Sequence, residues 1–168
     1  MKLVLHPNNC LDQSVPEFDF NGEHDPEKLE REMIDIMINN RGIGLSANQV
    51  ALPFQVFTIL PKHLNDITAP FAVFNPKILA QDEIEIDDVE GCLSFRNLWL
   101  RIKRPKSVVA EFTTSGGHKS IIRFSNYDAK CFLHEYDHLQ GICFTKKVSK
   151  LKLDLATKRQ RKLNGRTQ

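Results

Sequence analysis

The stretch that decides the fold is CFLHEYDHLQG, residues 131–141, in which two histidines stand four residues apart and a glutamate follows the first. In an α-helix, His134 and His138 lie one turn apart on the same face, so both imidazoles can reach one metal ion. Glu135 stands beside them, within reach of a water molecule at that ion. H-E-x-x-H is the pattern of metal-dependent hydrolases. The alternative, from these residues alone, is a solvated helix face that carries two histidines by chance.

A catalytic metal needs a third protein ligand, and the downstream sequence lacks the usual one. In the H-E-x-x-H-x-x-G-x-x-H group the third histidine falls at position 144, which is Phe144 here. No histidine follows His138 and no glutamate follows Glu135. Cys131 shares their helical face but lies about 10 Å along the axis from His138, too far to bind the same ion. The spacing leaves Cys143, just beyond the predicted helix, or a residue upstream.

Upstream, the segment EGCLS at residues 90–94 places a glycine before Cys92, which lets the backbone pass close to another group. A cysteine with two histidines makes a ligand set that leaves a fourth position open for water, as catalytic sites require. Such a set suits zinc, iron, cobalt or nickel.

Three segments in this order resemble the three motifs of the peptide deformylases: GIGLSANQ (42–49), EGCLS (90–94) and HEYDH (134–138). The family motifs are G-x-G-x-A-A-x-Q, E-G-C-x-S and H-E-x-D-H, and the resemblance covers about residues 1–148. It implies a metal-dependent enzyme that hydrolyses the formyl group from the N-terminal formylmethionine of nascent polypeptides and releases formate. N-formylmethionyl peptides are therefore the expected substrates.

The resemblance also implies roles for individual residues. The metal ligands that it implies are Cys92, His134 and His138. The physiological ion would be Fe(II), with zinc, nickel or cobalt possible in purified protein. Glu135 would take a proton from the attacking water and give one to the leaving amine. The side-chain amide of Gln49 and the backbone N–H of Leu93 would stabilise the oxyanion.

Substrate contacts are expected on both sides of the metal. Ile43 and Gly44 match a segment that pairs with the peptide main chain like an added strand. Gly91 is expected to contribute on the opposite side. A methionine side chain needs an apolar pocket, and Tyr127 and Cys131, two turns and one turn before the first histidine, are candidates for its wall.

Glu90 and Arg104 match an acidic and a basic position that can pair in the family, and Asp137 is expected to join them in a buried network that orients the ligands. The alternative is a surface ion pair worth about 0–1 kcal/mol. Two residues depart from the family pattern. Ser46 replaces a usual alanine, and a hydroxyl there needs a hydrogen-bond partner if it is buried. Arg96 follows CLSF where proline is frequent, and it is expected to alter peptide preference.

The rest of the chain predicts an α+β domain, with antiparallel β-sheets around a central helix that carries HEYDH. An N-terminal helix is expected over Asp25–Arg41 and the central helix over 126–140. A turn is expected at 115–117 and a bulge or strand edge at Pro76. β-branched and aromatic residues predict five strands, at 55–60, 71–79, 98–103, 107–112 and 119–124.

The C-terminal segment is strongly basic. From position 146 onward nine Lys or Arg face one acid, so this segment carries +8 and the rest of the chain −6. We expect a catalytic domain over 1–148 and a basic helix or tail over 149–168, with Leu151, Leu155 and Ala156 on its apolar side. The tail is a candidate for contact with the ribosome, through RNA or protein. A solvated amphipathic helix without a partner is the alternative.

Composition and patterning narrow the class of protein. No run of about 18 apolar residues exists, which argues against a membrane partner. The N-terminal residues lack the features of a signal or transit peptide, which predicts a cytoplasmic protein of bacterial or phage origin, with an organellar origin as the alternative. A monomer is expected. The four cysteines include no C-x-x-C pair, which argues against a zinc knuckle. Another H-E-x-x-H hydrolase, or a metal-binding relative that acts as a ribosome- or nucleic-acid-binding module, is the alternative function.

Overall fold

The computed structural model describes residues 1–64 and 67–164. Its helices are α1 (Pro26–Asn39), α2 (Tyr127–Leu139) and α3 (Lys150–Asn164). Its strands are β1 (Gly44–Ser46), β2 (Val56–Ile59), β3 (Phe71–Gln81), β4 (Glu85–Cys92), β5 (Phe95–Pro105), β6 (Ser107–Thr113) and β7 (Lys119–Ser125). One antiparallel sheet has the order β1–β2–β3–β6–β7, and β4 and β5 form a separate antiparallel hairpin. The predicted α+β architecture is confirmed.

Helix α2 lies between the five-stranded sheet and the hairpin. On the sheet side, the ring of Phe132 packs against Phe57 and Phe124, with ring centroids 5.2 and 4.7 Å away. On the hairpin side, Nδ1 of His134 lies 2.9 Å from Oε2 of Glu90 on β4. The helix therefore has one apolar face and one polar face, and both are covered by protein.

Helix α1 forms as its sequence predicts. The side chain of Asp25 accepts a hydrogen bond from the backbone N–H of Lys28, which caps the first turn. Pro26 occupies the first helical position, where its missing N–H costs nothing. The buried face packs on β1, β2 and β3 and consists of Leu29, Met33 and Met37.

The five predicted strands are confirmed as β2, β3, β5, β6 and β7, but β1 and β4 were not predicted. Strand β1 has only three residues, too few for a pattern. Strand β4 has the sequence EIDDVEGC, and acidic residues disfavour strands. It forms because it pairs along its whole length with β5. The bulge at Pro76 is confirmed by a register shift between Phe74 and Lys77.

Helix α3 packs against β5 on a face that only partly matches the one predicted. Leu151 and Leu155 are 70% and 49% exposed, so their assignment to the apolar side is wrong. Ala156, the third residue predicted on the apolar side, does pack against the core cluster that includes Leu98 and Leu100 of β5, and Leu153 packs there with it. The last part of the predicted tail, 165–168, lies outside the described residues. Among the residues described, no helix is both long enough and apolar enough to cross a bilayer.

Gly141 follows α2 in a left-handed conformation with φ of +68°, and a Cβ there would lie 2.7 Å from the carbonyl oxygen of Asp12. Gly117 has φ of +79°, but a Cβ there would meet nothing within 4 Å. We expect Gly117→Ala to lower the free energy of unfolding by about 1 kcal/mol, through backbone conformation alone. Gly141→Ala adds a steric clash and should lower it by about 3 kcal/mol. Urea denaturation measures both values, and equal losses would contradict the structure.

Candidate metal and active site

Three potential metal ligands converge where the hairpin meets α2. Cys92 is the last residue of β4, while His134 and His138 lie on one face of α2. The ligand atoms of the three residues all lie within 4.8 Å of one another. The Sγ atom of Cys92 lies 3.3 Å from Nε2 of His138. Cys143, the other candidate from spacing, instead directs its Sγ to the carbonyl oxygen of Leu11, 3.4 Å away.

The chemistry of this donor set fits a divalent ion, because one thiolate and two imidazoles suit zinc, iron, cobalt and nickel. Burial lowers the pKa of His138 well below its usual range, which keeps the ring neutral as ligation requires. Burial alone would lower the pKa of His134 as well, but hydrogen bonds to Cys92 and Glu90 raise it to about 10. These contacts favour the imidazolium form of His134 in the metal-free protein, and metal binding would release its second proton.

A buried ionic network holds the ligands in place. The Nε and Nη2 atoms of Arg104 lie 2.8 and 3.0 Å from the two carboxylate oxygens of Glu90, and Nη1 contacts Asp137. Oε2 of Glu90 also contacts Nδ1 of His134. Burial alone would raise the pKa of Glu90, but hydrogen bonds from His134 and Arg104 lower it to about 2. Glu90 is therefore a carboxylate at neutral pH, and the surface-pair alternative does not describe these residues.

The three residues with expected catalytic roles surround the ligands. Glu135 is 4% exposed, and burial raises the pKa of its carboxyl. Nε2 of Gln49 lies 3.3 Å from Sγ of Cys92 and 3.1 Å from Oγ of Ser94. Leu93 lies in the turn between β4 and β5, directly after the cysteine. Glu135 and Leu93 are thus adjacent in sequence to metal-ligand candidates, and Gln49 contacts one of them in space.

A cleft of about 750 Å³ opens above the ligands. It is lined by every residue expected to contact substrate, namely Ile43, Gly44, Gly91, Tyr127 and Cys131. Glu135 and His134 lie at its floor on α2. Gly44 must lack a side chain, because a Cβ there would lie 2.4 Å from Oε1 of Glu135. The close approach of β1 to α2 therefore depends on this glycine.

Sequence reasoning missed Trp99, which also lines the cleft. Its ring covers Gly91, since a Cβ at that glycine would lie 2.6 Å from a ring carbon. The ring is nevertheless 63% exposed, on a strand whose neighbours Leu98 and Leu100 are buried. The available signal was the alternation Leu98–Trp99–Leu100 in a predicted strand, which turns the tryptophan away from the face that buries the leucines. Large exposed aromatic side chains often mark binding surfaces.

Helix α3 contacts the first residues of β5 at the rim of the cleft. Nε2 of Gln160 donates a hydrogen bond to the carbonyl oxygen of Arg96, at 2.7 Å. Nδ2 of Asn97 donates to Oδ1 of Asn164, at 2.8 Å. Arg96 and Asn97 both line the cleft. The C-terminal helix therefore supports part of the cleft wall.

Comparison with known proteins identifies the family. Residues 1–154 match the model of the polypeptide deformylase family. The chain belongs to the peptide deformylases. The peptide deformylase of Finegoldia magna is 33% identical over 139 residues, which cover 83% of this chain and 82% of the relative. As a member of this family, the chain is an enzyme that removes the N-formyl group from nascent peptides.

Solved structures agree with this family. The crystal structure of the peptide deformylase from Ehrlichia chaffeensis has a TM-score of 0.86 at 28% identity, and the match covers 99% of this chain and 97% of that one. The deformylase from Thermotoga maritima has a TM-score of 0.80 at 28% identity, over 88% of this chain and 97% of that one. The fold of this deformylase is thus shared over nearly its whole length.

Replacing Arg104 tests the buried network. Arg104→Leu removes the cation that joins Glu90 to Asp137 and leaves Glu90 with His134 and Asp137 with Lys147. We expect the free energy of unfolding at pH 7 to fall by about 3–5 kcal/mol, because both carboxylates are buried. The control is Lys28→Ala, which breaks an exposed pair with Glu32 and should change stability by less than about 0.5 kcal/mol. Urea denaturation measures both.

The stability difference between the wild type and Arg104→Leu should also depend on pH. The pKa of Glu90 is lowered from 4.5 to about 2, so its stabilising contribution is complete above pH 4.5 and is lost as the pH falls toward 2. The stability difference between the wild type and Arg104→Leu should therefore shrink over this window. A difference that stays constant from pH 6 to pH 3 would contradict the assignment.

Proposed function

We propose that Cys92, His134 and His138 hold one divalent metal ion and that Glu135 is the general base for hydrolysis of N-formylmethionyl peptides. The observation that carries this proposal is the convergence of three ligand atoms within 4.8 Å, beside a buried carboxylate at the floor of a cleft. When bound, such an ion supplies Lewis-acid chemistry, because it lowers the pKa of water and polarises a carbonyl group.

We propose Fe(II) as the physiological ion. Zinc binds the same kind of ligands more tightly than Fe(II), so metal supply must decide which ion is bound. Purified protein is expected to carry zinc, nickel or cobalt after exposure to those ions. Metal analysis of protein prepared with and without oxygen distinguishes these cases.

Proton transfer falls to Glu135. Water adds to the formyl carbon, the bond between that carbon and the nitrogen breaks, and the products are formate and a free amine. Glu135 takes a proton from the water and gives one to the leaving nitrogen. Because burial raises its pKa toward the working pH, the carboxyl group can serve as acceptor and then as donor.

Charge that develops on the formyl oxygen needs hydrogen-bond donors, and we assign this role to Gln49 and to the backbone N–H of Leu93. Removing one such donor typically raises the barrier by about 3 kcal/mol. The Gln49 amide is oriented from its other end, where Oε1 accepts a hydrogen bond from the backbone N–H of Ser46. To reach substrate, Nε2 exchanges its bond to Ser94 or Cys92 for one to the formyl oxygen.

The peptide main chain is proposed to pair with β1, which lies at the edge of the five-stranded sheet. Ile43 and Gly44 border the cleft on this side, and Gly91 faces it from the hairpin. The methionine side chain enters the space beside Tyr127 and Cys131. Main-chain pairing accepts many sequences, as a processing enzyme for nascent chains requires.

Glu135→Gln tests the general base. We expect formate release from a formyl-Met peptide to fall by about 10²–10⁴-fold, because the amide cannot accept the proton. Metal content should stay the same, since Glu135 is not a proposed ligand. Glu83→Gln, an exposed glutamate, is the control and should keep wild-type activity. Full activity of Glu135→Gln with one bound metal would reject the proposed role.

We also propose that the enzyme is a cytoplasmic monomer that contacts the ribosome through α3. The ribosome contact is supported by a set of exposed cations on that helix. Within residues 1–64 and 67–164, none of these cations forms an ion pair. These cations are Lys150, Lys152, Lys158, Arg159, Arg161 and Lys162. Two earlier basic residues are already paired, Lys146 with Asp12 and Lys147 with Asp137.

Charge removal tests the ribosome contact better than deletion, since α3 supports the cleft. Replacing the cations at 158, 159, 161 and 162 with glutamine should weaken ribosome binding and flatten its salt dependence. Formate release from a free short peptide should not change. The control replaces Lys28 and Arg31 on α1, both of which are exposed. Unchanged, salt-independent ribosome association in the α3 variant would reject this contact.

A further inference from the structure

The serine that departs from the family motif has an unexpected partner. Ser46 is fully buried in β1. Its hydroxyl oxygen lies 2.8 Å from Oε2 of Glu135 and 2.9 Å from the backbone carbonyl oxygen of the same residue, so these two acceptors share the single hydroxyl proton. A buried hydroxyl without a partner is costly, and here both partners belong to the residue proposed as general base. Where the motif has alanine, no such contact can form.

The hydroxyl stands on a rigid support. The backbone N–H of Ser46 donates to Oε1 of Gln49, and its strand pairs with β2 in the register Ser46↔Phe57. On the other side, Glu135 is held in the middle of α2. Because both backbones are fixed in regular structure, the hydrogen bond sets the orientation of the carboxylate rather than following it.

The two carboxylate oxygens of Glu135 consequently have different surroundings. Oε2 is held by the hydroxyl of Ser46, whereas Oε1 lies against the backbone of Gly44, which lines the cleft. Ser46 itself does not line the cleft. The residue therefore acts on the site through Glu135 and has no direct access to a substrate there.

We propose that Ser46 is a positioning residue that anchors Oε2 of Glu135, so that Oε1 is the oxygen that exchanges protons in the cleft. This inference rests on the proposed role of Glu135. The side chain of Ser46 orients the base while its backbone N–H orients Gln49, so one residue aligns two of the proposed catalytic groups. Substitution by alanine removes only the first of these contacts.

The test is the kinetics of Ser46→Ala in the metal-loaded enzyme, with a formyl-Met peptide as substrate. Removing a hydrogen bond that positions a charged, reacting group should lower kcat about tenfold. KM should stay within about twofold, because the serine does not line the cleft, and metal content should not change. Ser46→Cys keeps the volume with a weaker donor and should give an intermediate kcat.

Ser107→Ala is the matched control, because Ser107 is also buried and its hydroxyl lies 2.8 Å from Oδ2 of Asp82, away from the metal ligands. It should lose stability without any loss in kcat. In a Glu135→Gln background, Ser46→Ala should have no further effect on the residual rate, because the base through which it acts is gone. If Ser46→Ala does not fold, Ser46→Cys carries both comparisons.

The outcomes separate the two proposals. If Glu135→Gln is inactive but Ser46→Ala keeps kcat within twofold of the wild type, the positioning role is rejected and the proposed function stands. If Ser46→Ala lowers the rate equally in both backgrounds, the hydroxyl does not act through Glu135 and the inference is also rejected. Wild-type activity in Glu135→Gln would reject the proposed function and this inference together.

Discussion

The carboxylate of Glu90, buried between the β4–β5 hairpin and α2, joins the parts of the molecule that carry the metal ligands. It lies two residues before Cys92 on the same strand, it contacts His134 on the helix, and Arg104 on β5 holds both of its oxygens. These contacts set the distance between the strand end and the helix. The cysteine and the histidines lie in separate elements, and these contacts tie the two elements together.

Buried charge of this kind is stable only when every member has a partner, because removing ions from water costs several kcal/mol for each. The network meets this condition. Asp137 forms ion pairs with Arg104 on one side and with Lys147 on the other. The opposite face of α2 is apolar and packs Phe132 against the sheet. The helix is therefore held by packing on one side and by charge on the other, and the ligands lie on the charged side.

The sequence predicted the helices and strands that are determined by patterns of neighbouring residues. Capping and spacing identified α1, and β-branched runs identified five strands. It did not predict β4, because its acidic residues are disfavoured in strands and only pairing with β5 makes it one. It misplaced the apolar side of α3, because the preference for Leu153 over Leu151 comes from the surface of β5.

The candidate site divides in the same way. The helical spacing of His134 and His138 was readable from the chain, but the choice between Cys92 and Cys143 was not, since spacing allowed both. The family motifs indicated Cys92, and the structure brings it to the histidines. The partner of Ser46 lies 89 residues away, so no local pattern points to it. Contacts of this kind depend on how β1 meets α2 and appear only in three dimensions.

Gln160 donates a hydrogen bond to the carbonyl oxygen of Arg96, and Asn164 accepts one from the side chain of Asn97. The C-terminal helix therefore contacts residues that line the cleft on one side and faces solvent on the other. By thermodynamic linkage, any effect that binding on one side of the helix has on affinity at the other side is reciprocal. A large particle that binds the outer surface of α3 and shifts this helix against β5 would change the affinity of the cleft for peptide by some factor. Bound peptide would change the affinity for the particle by the same factor. Peptide binding in the cleft and binding to the particle would then form one coupled equilibrium.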